Sequence, residues 1–148
     1  MAPKLNFDTD QILQMLPHCP PMLMVDRVED VIAGEEGVGF KTIKEDDPFL
    51  KGHFPGNPIM PGVFQIEAMA QTCGVVVLAA FEKQGSAQTL LTGVDKVRFK
   101  RKVLPGDVLT LQVKKMQQVK NIYKFQATAL CQGQKVSEAV LTAMVITQ

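Results

Sequence analysis

Two side chains fourteen positions apart carry the chemistry this sequence can do. His53 lies in a loop built from glycine and proline, Gly52-His53-Phe54-Pro55-Gly56-Asn57-Pro58-Ile59-Met60-Pro61-Gly62. Glu67 lies in the apolar run Val63-Phe64-Gln65-Ile66-Glu67-Ala68-Met69-Ala70-Gln71 and is the sole carboxylate between Asp47 and Glu82. One imidazole and one buried carboxylate are the minimum equipment for acid–base chemistry near neutral pH. On spacing alone a structural loop histidine fits His53 better than a catalytic one, and a buried ion-pair partner is the plainer reading of Glu67. Gln71 follows Glu67 at i+4 and shares its helical face. It either holds Glu67 or a water, or it is a polar side chain at a subunit seam. The second histidine, His18, reads as structural, capping the end of the first helix.

The elements that must position these groups follow from pattern. Asp8 is a good N-cap with Gln11 at N3 and Phe7 stapling onto Ile12, so a short helix should run to Leu16 and stop ahead of Pro17. Residues 22–32 look extended, and a turn at residues 34–37 returns the chain through residues 38–42 as a hairpin. Residues 44–62 contain Pro48, Pro55, Pro58 and Pro61 and must be mostly irregular. Residues 61–83 are apolar on nearly every face, which predicts a helix buried on most sides. The rest predicts strands at residues 90–103, 108–118, 122–131 and 135–146, joined by tight turns into an antiparallel sheet. The fold class is therefore α+β, a sheet rolled around one long apolar helix in a single domain spanning residues 1–148. Met60, Phe64, Met69 and Phe81 read as core side chains before they read as ligand wall.

Composition narrows the classes. A chain of 148 residues with 46% hydrophobic and 21% charged content is ordinary for a globular protein with a proper core. Cys19, Cys73 and Cys131 have no CxxC spacing and no partner histidines, so no zinc site or disulfide framework is expected. They read as reduced core residues of a cytosolic protein. No signal peptide is read at the start, and the longest apolar run, residues 73–81, is too short to span a bilayer. Charge is asymmetric: through Asp95 there are 6 basic and 13 acidic residues, −7, and from Lys96 onward 10 basic and 2 acidic, +8. The basic excess is densest at Lys96, Arg98, Lys100, Arg101 and Lys102. That points either to an acidic partner or to a solvated strand face. In a regular strand Lys96, Arg98, Lys100 and Lys102 would share one face, with Val97, Phe99 and Arg101 on the other. No helix-turn-helix or base-stacking feature accompanies these cations, so nucleic acid is not the expected partner.

The central block Gly52-His53-Phe54-Pro55-Gly56, Pro58-Ile59-Met60-Pro61-Gly62-Val63 and Ile66-Glu67-Ala68-Met69-Ala70-Gln71 resembles the signature of the FabZ-type 3-hydroxyacyl-[acyl-carrier-protein] dehydratases. The resemblance continues at Leu16-Pro17-His18, at Leu23-Met24-Val25-Asp26-Arg27-Val28, at Gly93-Val94-Asp95-Lys96-Val97-Arg98-Phe99 and at Pro105-Gly106-Asp107. It implies the hot-dog fold, fatty-acid biosynthesis leading to membrane lipid, lipid A or both, and a cytoplasmic enzyme needing no cofactor or metal. It also implies an acyl-carrier-protein partner, homodimers with shared active sites, and commonly a trimer of dimers. One segment departs. Where the family usually has Arg-Tyr-Pro-Phe after Pro17-His18, this chain has Cys19-Pro20-Pro21-Met22, losing a cation and two aromatic rings.

Dehydration of a 3-hydroxyacyl thioester needs a base at C2, an acid at the C3 hydroxyl, and a donor for the charge developing on the thioester oxygen. His53 suits the first role. Glu67 suits the second if protonated, and burial on an apolar helix should raise its pKa. The resemblance gives the third to the backbone N–H of Gly62 at the helix start, with the Ile59 backbone lining the site. Three alternatives differ at named features. A dehydratase that also isomerises the double bond typically carries Asp where Glu67 stands. A hot-dog thioesterase would lack the His-Phe-Pro-Gly block. A non-catalytic acyl-thioester sensor would lack the His53/Glu67 pair.

Overall fold

A computed structural model describes residues 3–81 and 85–147. Its first element is a three-residue strand, β1 (Leu5–Phe7), which the sequence pattern did not signal. Three residues are too few to show an alternation, and β1 exists because it pairs with a later strand, Leu5 lying opposite Val31. α1 (Thr9–Met15) has the expected capping box. The Asp8 carboxylate accepts from the Gln11 N–H at 2.9 Å, and the Gln11 side chain accepts from the Asp8 N–H at 2.8 Å.

The chain then crosses residues 17–26 as an irregular strap, where an extended strand was expected from residue 22. Gln71 accounts for the difference. Its side chain accepts from the Met24 N–H at 2.6 Å and donates to the Met22 carbonyl at 2.8 Å. The strap's backbone is thus satisfied by a helix rather than by a neighbouring strand. β2 (Arg27–Ile32) and β3 (Glu36–Thr42) form the expected hairpin. The proline-rich segment after it is irregular apart from one 3-10 turn at Pro48–Leu50.

α2 (Gly62–Leu78) is the main helix. Seventeen residues give it a length of about 26 Å. It stops five residues before the expected end, and residues 82–83 of that span lie outside the described residues. The cause is local. The Val76 carbonyl, which Ala80 would use to continue the helix, accepts instead from the Gly34 N–H in the β2–β3 turn at 2.8 Å. Ala80 turns back to Val77 and Phe81 to Leu78, closing the helix tightly. Beyond it come β4 (Ala87–Phe99), β5 (Val108–Val119), β6 (Ile122–Cys131) and β7 (Gln134–Thr147). All pairings are antiparallel, in the order β1-β2-β3-β5-β6-β7-β4.

α2 lies against one face of this sheet. Met69, Cys73, Val75, Val76 and Val77 are buried there with Leu109, Leu111, Phe125 and Leu141 from alternate strand positions. Burial is not all-round. Val63 is 68% exposed, and Ile66, Glu67 and Ala70 are only partly covered, so one stripe of the first helical half is open. β4 ends the sheet and carries exposed Leu90, Leu91, Val94 and Phe99. The cysteine expectation holds only for Cys73, which is buried; Cys19 is exposed on the strap and Cys131 is half-buried at the end of β6. All three are free. Among the described residues no helix is long and apolar enough to cross a membrane.

Candidate active site

The His53 loop is closed by its own backbone. The Phe54 N–H donates to the Asn57 carbonyl at 3.0 Å and the Asn57 N–H to the Phe54 carbonyl at 2.9 Å. The Ile59 N–H donates to the His53 carbonyl at 2.8 Å, and the His53 ring nitrogen Nδ1 stands 2.9 Å from the Ile59 carbonyl. A carbonyl can only accept, so Nδ1 carries the hydrogen, and in the neutral ring Nε2 is the nitrogen with the lone pair. This is the tautomer a base at Nε2 requires. It also gives Ile59 a definite task, since both of its backbone polar groups engage His53. The Phe54 ring stacks on the imidazole with centroids 4.2 Å apart. The Met60 N–H then donates to the Val103 carbonyl at 2.8 Å, tying the loop to the segment after β4.

That tie decides which cations reach the site. β4 ends at Phe99, short of the expected end at residue 103. The N–H groups of Lys100 and Arg101 both turn to the Val136 carbonyl, and the chain leaves the sheet toward Met60. Lys100, Arg101 and Lys102 therefore line the cleft that holds His53, together with Gly62 and Phe99. Lys96 and Arg98 do not line it. The expected row of alternate cations is broken because the register shifts between Asp95 and Arg98, and Lys96 takes a φ of 52°. Arg98 lies opposite Glu138 across the β4–β7 ladder. The Lys135 hydrogen bond, helped by the charges of Lys100 and Arg98, holds the Glu138 carboxyl below its ordinary range.

Gly62 opens α2 with Pro61 as its N-cap. A Cβ at Gly62 would meet Phe99 Cε1 at 2.6 Å, so glycine is needed here for the Phe99 ring to pack over the helix start. Gln65, which no sequence pattern singled out, also lines this cleft and is buried, with its Oε1 unpartnered among the described residues. The signal was available: a second glutamine in an otherwise apolar helix.

Glu67 opens elsewhere. It lines a separate cavity of about 160 Å³ with His18, Gln71, Cys73, Phe125 and Leu141. Gln71 donates to Glu67 Oε2 at 2.7 Å, which settles its contact with the carboxylate. His18 does not cap α1, whose last turn is closed by the Leu16 N–H on the Ile12 carbonyl. Its Nε2 lies 3.3 Å from Glu67 Oε2 instead. The strap pinned by Gln71 brings it there, a placement that residue spacing along the chain could not reveal. This pairing also reverses the expected pKa direction. Burial is the largest single influence and pushes the Glu67 carboxyl up, but the hydrogen bonds from His18 and Gln71 and the His18 charge together outweigh it, leaving Glu67 below its ordinary value. Burial pushes the Cys73 thiol far up, so it is inert wall. Met60 and Met69 are core, as expected, and Phe64 stacks on Phe49. Met60 also borders the His53 cleft. Within one chain His53 and Glu67 belong to different clefts.

The FabA-like domain family matches residues 16–140. The chain is 44% identical over 135 residues to a 3-hydroxyacyl-[acyl-carrier-protein] dehydratase FabZ of Caldicellulosiruptor saccharolyticus, covering 91% of this chain and 96% of that protein. It is 41% identical to the bifunctional enzyme LpxC/FabZ of Chlorobaculum tepidum, over 95% of this chain and 30% of that longer protein. Among solved structures, the dehydratase heterocomplex ApeI:P from Xenorhabdus doucetiae superposes with a TM-score of 0.80 at 26% identity, covering 93% of this chain and 91% of that one.

Proposed function

The chain belongs to the FabA-like family and, within it, to the FabZ-type 3-hydroxyacyl-[acyl-carrier-protein] dehydratases, and from that membership we propose an active site made by His53 of one subunit and Glu67 of another. The activity is a hydro-lyase step of fatty-acid biosynthesis, carried on a hot-dog fold. The (3R)-3-hydroxyacyl chain loses water to give a trans-2-enoyl chain. His53 Nε2 takes the proton from C2, with Nδ1 held by Ile59. The Gly62 N–H, free of an intrahelical partner at the start of α2, receives the charge developing on the thioester oxygen. Glu67, once protonated, gives its proton to the C3 hydroxyl, which departs as water.

The observation that carries this reading is the separation of the two residues. The His53 cleft has a base, a helix start and cations, but no carboxylate among its lining residues. The Glu67 cavity has a carboxylate and apolar walls suited to an acyl chain. Each is half of what the reaction needs. Val63 and Ile66 flank Glu67 on the open stripe of α2, and β4 presents a long free edge with exposed apolar side chains. Uncovered edges and contiguous apolar patches are surfaces that a partner covers. A two-fold related copy would cover both and bring each Glu67 toward the partner subunit's basic cleft; a trimer of such dimers would repeat the same contact. Lys100, Arg101 and Lys102 at the cleft mouth suit an acidic carrier protein whose prosthetic arm must enter there.

The test is conversion of 3-hydroxyacyl chains of several lengths, each loaded on the carrier protein, followed by enoyl absorbance. Enoyl formation on at least one length is expected. A folded protein that forms no enoyl product on any of them would end this reading.

A further inference from the structure

Resting on that reading, we propose that His18 is a third functional residue, a positioning residue that fixes Glu67 and returns to it the proton given up in each dehydration. Three observations support it. His18 Nε2 and the Gln71 side chain converge on one carboxylate oxygen, Glu67 Oε2, at 3.3 and 2.7 Å. No hydrogen bond among the described residues reaches Oε1. The opposite ring nitrogen, His18 Nδ1, is buried and has no partner among the described residues, so no second hydrogen bond fixes one tautomer. The strap carrying His18 is itself anchored to the helix of Glu67 by the two backbone hydrogen bonds of Gln71. His18, Gln71 and Glu67 are therefore one mechanical unit.

The chemistry follows from what surrounds the pair. The titratable groups facing His18 across the cavity are Glu67 and Cys73 of α2; β4 presents Thr89, Leu90 and Leu91, β6 presents Phe125, and β7 presents Leu141 and Ala143. With the cavity open to water, Glu67 rests as the anion, and when His18 carries a proton on both ring nitrogens the imidazolium–carboxylate pair is tolerated. An acyl chain entering the cavity displaces water and raises the cost of holding two charges there. The neutral pair becomes favoured: the His18 Nε2–H bond breaks and a carboxyl O–H bond forms on Glu67. That proton then passes to the C3 hydroxyl as the C3–O bond breaks, and water leaves. The C2 proton held by His53 is released to solvent, and solvent returns one proton to His18, so the cycle balances. This resolves how a carboxyl held below its ordinary pKa can act as an acid.

The test compares the wild-type protein with His18→Gln and His18→Ala by pH-dependent kinetics and by carbon-13 NMR titration of the Glu67 carboxyl. Glutamine keeps a neutral N–H donor near Oε2 but cannot supply a proton. Both variants are expected to lose at least tenfold in kcat at neutral pH, with KM changed less than about twofold. The acidic limb of the wild-type profile should move, and the Glu67 titration should move up in pH. If His18→Gln matches wild type in kcat and in pH profile, or if the Glu67 titration does not move in either variant, the proposal is overturned. Thermal unfolding of each variant separates misfolding from loss of function, and the NMR arm decides the pairing even if no dehydration is found. Absence of any dehydration in the wild type would instead count against the active-site reading above.

Discussion

His53 and Glu67 open into different clefts of the same chain, the His53 cleft having no carboxylate among its lining residues. The imidazole is locked by the Ile59 carbonyl at 2.9 Å, and the carboxylate by Gln71 at 2.7 Å. Neither lock involves the other residue. On the proposed reading a functional unit takes two chains, and the second would cover the exposed stripe of α2 and the free edge of β4.

Loss of either residue should remove chemistry without removing the fold. Glu67 is partly exposed and His53 sits in a loop closed mainly by backbone hydrogen bonds. His53→Ala and Glu67→Gln are each expected to lower kcat by about 10²- to 10⁴-fold while leaving circular dichroism unchanged. A folded Glu67→Gln protein with full turnover would remove the acid role.

The Glu67 carboxyl also sets a pH signature in stability. Its folded-state pKa is lowered, so the anion is favoured by folding. Its contribution is fully present above the ordinary carboxyl value of 4.5 and is lost as pH falls through the folded value. Urea unfolding should therefore show wild-type stability falling more steeply with acid in that window than the stability of Glu67→Gln. Parallel slopes for the two proteins would contradict the pairing of Glu67 with His18 and Gln71.

Gly62 and Phe99 make a packing prediction. Gly62→Ala places a Cβ about where the Phe99 ring now sits, at 2.6 Å from Cε1. Phe99 is 52% exposed and can swing, but only by leaving the start of α2. The expected cost is about 1–3 kcal/mol in stability together with reduced kcat. Adding Phe99→Leu should recover part of the stability loss. No recovery in the double variant, by thermal melts, would mean the strain lies elsewhere.

The cations at the cleft mouth should matter for the carrier and less for the chemistry. Exchanging Lys100 and Arg101 for Glu is expected to lower kcat/KM for carrier-protein substrates several-fold, most at low salt, because rim charges act over a Debye length of about 8 Å at physiological ionic strength. Short pantetheine-type thioesters should be spared. Equal losses on both substrate types would show that these residues support the fold or the site itself. Lys96→Glu serves as the control and should have a smaller effect, since Lys96 does not line the cleft.

The sequence announced much of this, and its failures have physical causes. The capping box of α1, the apolar character of α2 and the four long strands are local patterns, and they are present. The His53 and Glu67 positions stood out because a charged or titratable side chain in rigid or apolar surroundings is conspicuous. What local pattern could not convey is tertiary capture. α2 ends early because the turn at Gly34 takes the Val76 carbonyl, and the strap at Met22–Met24 is not a strand because Gln71 takes its backbone groups. The lowered Glu67 pKa has the same origin. Burial alone predicts a rise, and only the fold brings His18 to the carboxylate. The broken cation row reflects the irregularity between Asp95 and Arg98, which strict alternation does not allow for.

Subunit mixing decides whether the site is shared. His53→Ala and Glu67→Gln are each purified as inactive proteins, mixed under mild dissociating conditions, and re-associated, with exchange confirmed by native mass spectrometry of differently tagged chains. In a mixed dimer with shared sites, one site receives both defects and the other receives an intact His53 and an intact Glu67. The expected result is recovery toward about one quarter of the wild-type specific activity after random exchange. Verified exchange with activity no higher than that of the separate variants would show that His53 and Glu67 do not meet across a dimer interface.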